Sequence, residues 1–145
     1  MDFFNAISTS SSGLSAQRLR MNLISGNLAN VRTTRTKAGG PYRRKEAIFA
    51  AQPLNPSFKD ILAERNNRQL KGVNVVKIVE DTNPPVMKYN PQHPDADEQG
   101  YVALPNINLM EEMVNMISAS RSYEANVSAL KAAKDMALKA LEIGN

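Results

Sequence analysis

The chain has 145 residues, of which 42% are hydrophobic and 22% charged, enough for one domain with a modest apolar core. It has no Cys and a single His, His93, which excludes disulfide bonds, thiolate metal sites, Cys nucleophiles and a His-rich metal site. The net charge of +4 is uneven, because residues 1–45 hold eight Lys or Arg against one Asp, an asymmetry that suits nucleic acid, a membrane surface or an acidic neighbour.

The first zone, residues 1–32, is predicted to be a helix. Its apolar side chains recur at heptad spacing on two adjoining positions, namely Ile7, Leu14, Met21 and Leu28 with Phe3, Ile24 and Val31. A narrow stripe of this kind is typical of a helix that packs against another helix. Residues 8–13 are poor helix formers, so we expect this turn to depend on a partner. Asn27 and Asn30 are expected to end the helix by hydrogen bonds to its backbone.

The second zone, residues 33–105, is predicted to be a small β-rich middle domain. Strand-like runs at 42–51, 73–80, 86–89 and 101–104 are separated by turns rich in Gly, Pro and Asn. A polar, variable insert at about 52–72 is expected to hold at most one short helix, near residues 57–62.

The third zone, residues 106–145, is predicted to be one long helix. Asn108 and Glu111 have the spacing of a capping box, and Gly144 stands where a helix commonly ends. Thirty-eight residues would span roughly 57 Å, far more than an average globular helix. The apolar stripe of this helix follows a four–three spacing: Leu109, Met113, Met116, Tyr123, Val127, Leu130, Ala137 and Leu141.

The predicted fold class is α+β, with two long terminal helices pairing as a coiled-coil hairpin around the small β-rich middle domain. The simplest arrangement pairs the helices antiparallel and places the middle domain at one end. Small residues on the third zone, such as Ala119 and Ala133, permit close approach of a second helix. A two-helix hairpin buries little apolar surface, so the stripes are expected to need helices from other chains.

Patterns that suggest chemistry have simpler explanations. Segment 93–98 lacks the alternation of a calcium loop and is interpreted as a turn that Asp95 sets by accepting backbone hydrogen bonds. Segment 39–45 lacks a phosphate-loop pattern and is interpreted as an exposed hairpin entry. There is no Gly-x-Ser-x-Gly motif, and the acidic pairs are adjacent in sequence. We therefore expect neither an enzyme nor a cofactor or metal site.

Two binding partners are also disfavoured. Nucleic-acid binding is not expected, because aromatic residues do not interleave the basic ones and no DNA-binding motif is present. A membrane span is not expected, because no run approaches about 20 apolar residues. The N-terminus lacks the basic and apolar regions of a cleavable signal peptide, so we expect a cytosolic protein or one exported without cleavage.

Several motifs resemble those of bacterial flagellar rod and hook proteins, and their combination is similar to the proximal rod type within that family. The resemblance covers about residues 1–51 and 73–144 and leaves the insert unmatched. The motifs lie at 25–30 (SGNLAN), 40–45 (GPYRRK), 89–91 (YNP), 93–97 (HPDAD), 100–102 (GYV), 105–108 (PNIN), 112–114 (EMV) and 118–126 (SASRSYEAN).

The resemblance implies a non-enzymatic structural subunit of the flagellar basal-body rod, the drive shaft that crosses the periplasm and transmits torque from the motor. It implies assembly with copies of itself and other rod proteins, after export through the flagellar type III apparatus without a cleaved signal peptide. The basic cluster at 32–45 would then face an acidic neighbour or the rod exterior. A cytosolic coiled-coil adaptor is the alternative. The expected subunit interface comprises Ile7, Leu14, Met21, Ile24, Leu28, Asn27, Asn30, Leu109, Met113, Met116, Tyr123, Val127, Leu130, Ala137 and Leu141.

Overall fold

A computed structural model describes residues 3–53 and 71–143. Along the chain, two long helices flank two antiparallel ribbons in the order α1, β1, β2, β3, β4, α2, which confirms the predicted α+β fold class. The short helix predicted near 57–62 lies outside the described residues. The bounds are Phe3–Ala29 for α1, Lys45–Pro53 for β1, Lys71–Glu80 for β2, Val86–Tyr89 for β3, Tyr101–Leu104 for β4 and Leu109–Ile143 for α2.

The two helices pack along each other in opposite directions. At one end of the contact, Asn27 of α1 meets Glu112 of α2. Fourteen residues earlier in α1, Gly13 lies against Asn126, which is fourteen residues later in α2. The equal steps in opposite directions show an antiparallel pair with one register throughout this stretch.

The apolar core between these elements is small. The buried apolar side chains within the described residues are Ala16, Ile24, Val102, Ala119 and Ala133, together with Pro105. Three of them are alanines, of which Ala119 and Ala133 lie on α2 and Ala16 lies on α1 beside the β1–β2 ribbon, so bulky side chains contribute little to this core. Many large apolar side chains instead lie exposed on the strands and on α2, which leaves intrachain hydrophobic stabilisation modest.

The β1–β2 ribbon lies alongside α1. At its open end the backbone of Lys45 is hydrogen-bonded to Asn27, and near its other end the Val73 N–H donates to Ser12 Oγ at 3.0 Å. Asn27 and Ser12 are fifteen residues apart, about 22 Å along the helix. The expectation that the whole middle zone sits at one end of the hairpin is therefore wrong for this ribbon. Its strands are long enough to follow the helix, and α1 packs against both α2 and the ribbon.

The β3–β4 ribbon is short and is closed by a turn that Asp97 sets. Asp97 Oδ1 accepts hydrogen bonds from the backbone N–H groups of Gln99 at 2.9 Å and Tyr101 at 2.8 Å. Gly100 has a φ of 83°, and a Cβ added there would lie 2.9 Å from the Tyr89 ring. This turn therefore requires a glycine at position 100.

Asp95 does not set this turn, contrary to the prediction. Its Oδ2 instead accepts a hydrogen bond from Thr34 Oγ1 at 2.8 Å and so connects the turn to the segment after α1. Since Asp97 is two residues before Gln99, it has the spacing at which a carboxylate reaches the backbone of a turn.

Asparagines mark one end of each helix. Asn30 Nδ2 donates to the Gly26 carbonyl at 2.8 Å, where the last turn of α1 would otherwise leave an acceptor unpaired. Asn108 Oδ1 accepts from the Met110 N–H at 3.1 Å and starts α2. These contacts confirm the predicted roles of Asn30 and Asn108 at the helix ends.

Enlarging Gly13 is expected to disturb the helix pair. An added Cβ would lie 3.1 Å from Asn126 Nδ2 and 3.2 Å from Oδ1, and Nδ2 is already held by the Ser122 carbonyl at 2.9 Å. We expect Gly13→Leu to lower the free energy of unfolding by about 1–3 kcal/mol through overpacking. Denaturant unfolding followed by circular dichroism measures this. Ser11→Leu, at an exposed position of α1, is the control, and equal losses in both variants would contradict the contact.

Candidate assembly surface

A buried polar cluster joins α1, β1 and α2. Asn27 and Glu112 are each 1% exposed, and Tyr42, Arg44 and Lys45 surround them. Asn27 Nδ2 donates to Glu112 Oε2 and to the Lys45 carbonyl, both at 3.0 Å. Asn27 Oδ1 accepts from the Lys45 N–H at 2.9 Å and from Tyr42 Oη at 3.2 Å. The amide thus uses two donors and two acceptors, which is its full hydrogen-bonding capacity.

Glu112 is a buried carboxylate with compensating partners. Arg44 Nε donates to Glu112 Oε1 at 2.7 Å, while Arg44 Nη1 donates to Glu46 Oε2 at 3.1 Å. Burial lowers the pKa of Arg44, but the hydrogen bond to Glu112 and the charges of Glu112 and Glu46 outweigh it and raise this pKa above its ordinary value. Glu112 also lies in the first turn of α2, where the helix dipole favours a negative charge.

Tyr42 supplies the remaining donor of the cluster. Burial raises the pKa of the Tyr42 hydroxyl, an effect that nearby Lys45 opposes and that Glu80 and Glu112 reinforce. The phenol is therefore protonated at neutral pH and donates to Asn27. The same cluster corrects the role predicted for Asn27, because its side chain bonds to the backbone of Lys45 and not to the end of its own helix.

Two residues of the basic cluster at 32–45 form ion pairs with acidic residues of the same chain. Arg44 pairs with Glu112, and Lys45 Nζ lies 3.3 Å from Glu80 Oε1. The expectation that this cluster faces an acidic neighbour or the rod exterior is therefore wrong for Arg44, whereas the Lys45 side chain remains 40% exposed beside Glu80. Sequence patterns did not single out Glu112 as the partner of Arg44, since an acidic residue in a first helical turn is ordinarily a solvent-exposed one.

The predicted interface residues differ in exposure. Ile24 and Asn27 are buried within the chain, at 5% and 1%. Leu109, Met113 and Leu141 are exposed, at 49%, 47% and 70%. The others are half-buried: Ile7, Leu14, Met21, Leu28, Asn30, Met116, Tyr123, Val127, Leu130 and Ala137.

The half-buried residues of α2 lie beside its contact with α1. Met116, Tyr123, Leu130 and Ala137 come four residues after positions 112, 119, 126 and 133, which face α1 or are buried. A four-residue step returns to nearly the same side of a helix. These side chains therefore contact the helix pair on one side and are open on the other.

The first turns of α2 carry an exposed apolar patch. Leu109 and Met113 belong to the predicted stripe, but Met110, Val114 and Ile117 are at least as exposed, between 54% and 68%. The predicted interface did not include these three residues, although they adjoin its stripe. Contiguous exposed apolar surface of this kind is typical of a protein interaction site.

The described residues contain neither a metal site nor a helix suited to span a membrane. Across residues 3–53 and 71–143, no three His, Asp or Glu side chains are grouped as a metal site would require. Neither α1 nor α2, as far as the structure describes them, combines the length and the apolar character needed to cross a membrane.

Two protein families match the helical N- and C-terminal parts of this chain, and relatives match nearly its whole length. The family described as "Flagella basal body rod protein" matches residues 7–37, and "Flagellar basal body rod FlgEFG protein C-terminal" matches residues 98–143. The chain is 50% identical to the flagellar basal-body rod protein FlgC of Borreliella burgdorferi, covering 99% of this chain and 98% of that protein. It is 44% identical to FlgC of Bacillus subtilis and 36% identical to FlgC of Salmonella typhimurium, covering 99% of each chain.

Removing the amide of Asn27 is expected to destabilise the fold strongly. Asn27→Leu leaves a Glu112 oxygen, the Lys45 backbone and the Tyr42 hydroxyl without a partner. We expect the free energy of unfolding to fall by about 3–5 kcal/mol, the range for breaking a buried charged contact. Asn22→Leu, at an exposed position of the same helix, is expected to change it by less than about 0.5 kcal/mol. Urea midpoints give both values, and similar midpoints for the two variants would refute this assignment.

Proposed function

This chain belongs to the FlgC family of flagellar basal-body rod proteins, which are structural components of the rod and not enzymes, and we propose that it assembles with copies of itself and with other rod proteins into the proximal rod. In that position it transmits torque across the periplasm. The observation that supports this most is the 50% identity to a rod protein over 99% of the chain. The relatives give no support to the alternative of a cytosolic adaptor.

In this proposal, the three zones of the chain have different structural roles in the rod. Residues 1–32 and 106–145 supply axial helices, and residues 33–105 flank them. Support comes from the two family matches, which cover α1 and α2 and leave most of the middle zone unmatched.

The subunit interface consists, in this proposal, of the two partly open apolar stripes. Support comes from exposure: Ile7, Leu14, Met21 and Leu28 of α1 are half-buried, although Ile24 is buried, and the stripe of α2 is half-buried or exposed. Full burial of one such side chain contributes about 1.5–3 kcal/mol, so a dozen per subunit could hold a stiff lattice together. Asn27, which is buried, would act indirectly by fixing the helices that carry the stripes.

Export through the flagellar type III apparatus, without a cleaved signal peptide, is part of the proposal. A chain must be unfolded to pass such a channel, and unfolding costs little when few large apolar side chains are buried. The small core described above, with three alanines among its buried apolar residues, supports this route.

Polar replacement of exposed stripe residues is expected to block rod assembly without unfolding the subunit. The variant Met113→Gln/Leu141→Lys changes two exposed side chains, and Lys suits the C-terminal end of a helix. Charged replacements of Val127 or Leu130 are less informative, because these residues are half-buried against the chain itself. Electron cryotomography of cells that lack the protein, complemented with each variant, measures the presence of the rod.

The control is Ser128→Gln, at an exposed position of α2 outside the stripe. We expect no rod in cells without complementation and restored rods in cells complemented with the wild type or with Ser128→Gln. The double variant is expected to restore no rod, although its export and its helicity are unchanged. Complete rods in cells that lack the protein would refute the function. Rods restored by the double variant would refute the interface and leave the function standing.

A further inference from the structure

The apolar and small residues of the helix pair repeat at intervals that do not define a unique register. Gly13 lies against Asn126, and Ala119 and Ala133 are each seven residues from that position. The stripe of α1 also repeats every seven residues, at 7, 14, 21 and 28. A slip of one heptad, about 10 Å, would place an alanine opposite Gly13 where Asn126 had been, so no bulkier side chain would oppose the slip there. Apolar packing alone therefore discriminates weakly between registers.

The buried polar cluster does not repeat. Glu112 carries hydrogen bonds from Asn27 of α1 and from Arg44, which immediately precedes β1. Arg44 and its strand are held to α1 through the contacts of Asn27 with Lys45. A slip of α2 along α1 would thus move Glu112 away from both donors at once.

We infer that the contact of Glu112 with Asn27 and Arg44 selects the register of α1 against α2, so that these three are positioning residues for the helix pair. A buried carboxylate without partners is strongly unfavourable, whereas the same contact adds little net stability over apolar packing. Its effect is therefore on which register forms. Single buried polar residues specify the register of coiled coils in the same way.

The two possible slips are not equivalent. A slip that brings Gly13 opposite Ala133 would place Asn27 opposite Ala119 and Glu112 beyond the end of α1, so that Glu112 loses both donors while Asn27 keeps only its contacts with Tyr42 and Lys45. A slip that brings Gly13 opposite Ala119 would place Glu112 opposite Arg20, a substitute cation, but would leave Asn27 opposite Pro105. The register contact thus excludes the first slip more strongly than the second.

Disulfide trapping in the single chain tests this without rod assembly, because the protein has no Cys of its own. Gly13→Cys/Asn126→Cys reports the native register, since a Cβ at Gly13 lies 3.3 Å from Asn126 Cγ, close to disulfide spacing. Gly13→Cys paired with Ala119→Cys or Ala133→Cys reports the two slips. Each pair is placed in the wild-type background and in Arg44→Met/Glu112→Leu, where Asn27 retains its contacts with β1.

In the wild-type background we expect the native pair to crosslink and the slipped pairs to give no detectable product. In Arg44→Met/Glu112→Leu we expect at least one slipped pair to rise to a yield comparable with the native pair, while circular dichroism shows unchanged helicity. The control Lys45→Gln/Glu80→Gln removes an ion pair within the ribbon and is expected to leave the wild-type pattern.

Exclusive native crosslinking in Arg44→Met/Glu112→Leu would overturn the inference. If that variant instead loses its helicity, the native 13–126 disulfide is expected to restore it, because the covalent bond then fixes the register in place of Glu112. Failure of this disulfide to restore the helicity would overturn the inference as well.

Discussion

The arrangement of this chain depends on one desolvated carboxylate, that of Glu112. Removing a charged group from water is costly, and the cost is offset only where donors are close and well aligned. Asn27 and Arg44 provide them from two other parts of the chain. Because Asn27 also holds both backbone groups of Lys45, the positions of α1, β1 and α2 determine one another. A substitution at any of these residues is therefore expected to affect the positions of all three elements.

The helix pair forms with little apolar burial. Alanines and Gly13 let the helices approach closely, but they remove little apolar area from water. The larger apolar residues, such as Met110, Val114 and Ile117, lie outside. An ordinary globular domain places its large apolar side chains inside and its charges outside. Here a charged side chain, that of Glu112, lies in the interior, and large apolar side chains lie on the surface.

The elements themselves were largely predictable, because each has a local signal. Heptad spacing predicted both helices, and Asn108 marked the start of the second. The site was less predictable, because its contacts are remote: Asn27 and Glu112 are 85 residues apart. The choice between Asp95 and Asp97 depended on which carboxylate the turn brought to the backbone. The path of the β1–β2 ribbon along α1 depended on packing that no local pattern reports.

In the proposed rod, the polar interior and the apolar exterior have complementary tasks. Apolar surface gives the larger free energy on burial but is tolerant of sliding, because it is non-directional. Hydrogen bonds to a buried charge give little net free energy but fix geometry. A subunit whose apolar surface is exposed until neighbouring subunits cover it gains most of its stability on assembly. The geometry of that surface must already be set within each subunit, since a slip of one heptad would displace one stripe against the other by about 10 Å. Placing the directional contact inside the chain and the non-directional surface outside meets both requirements.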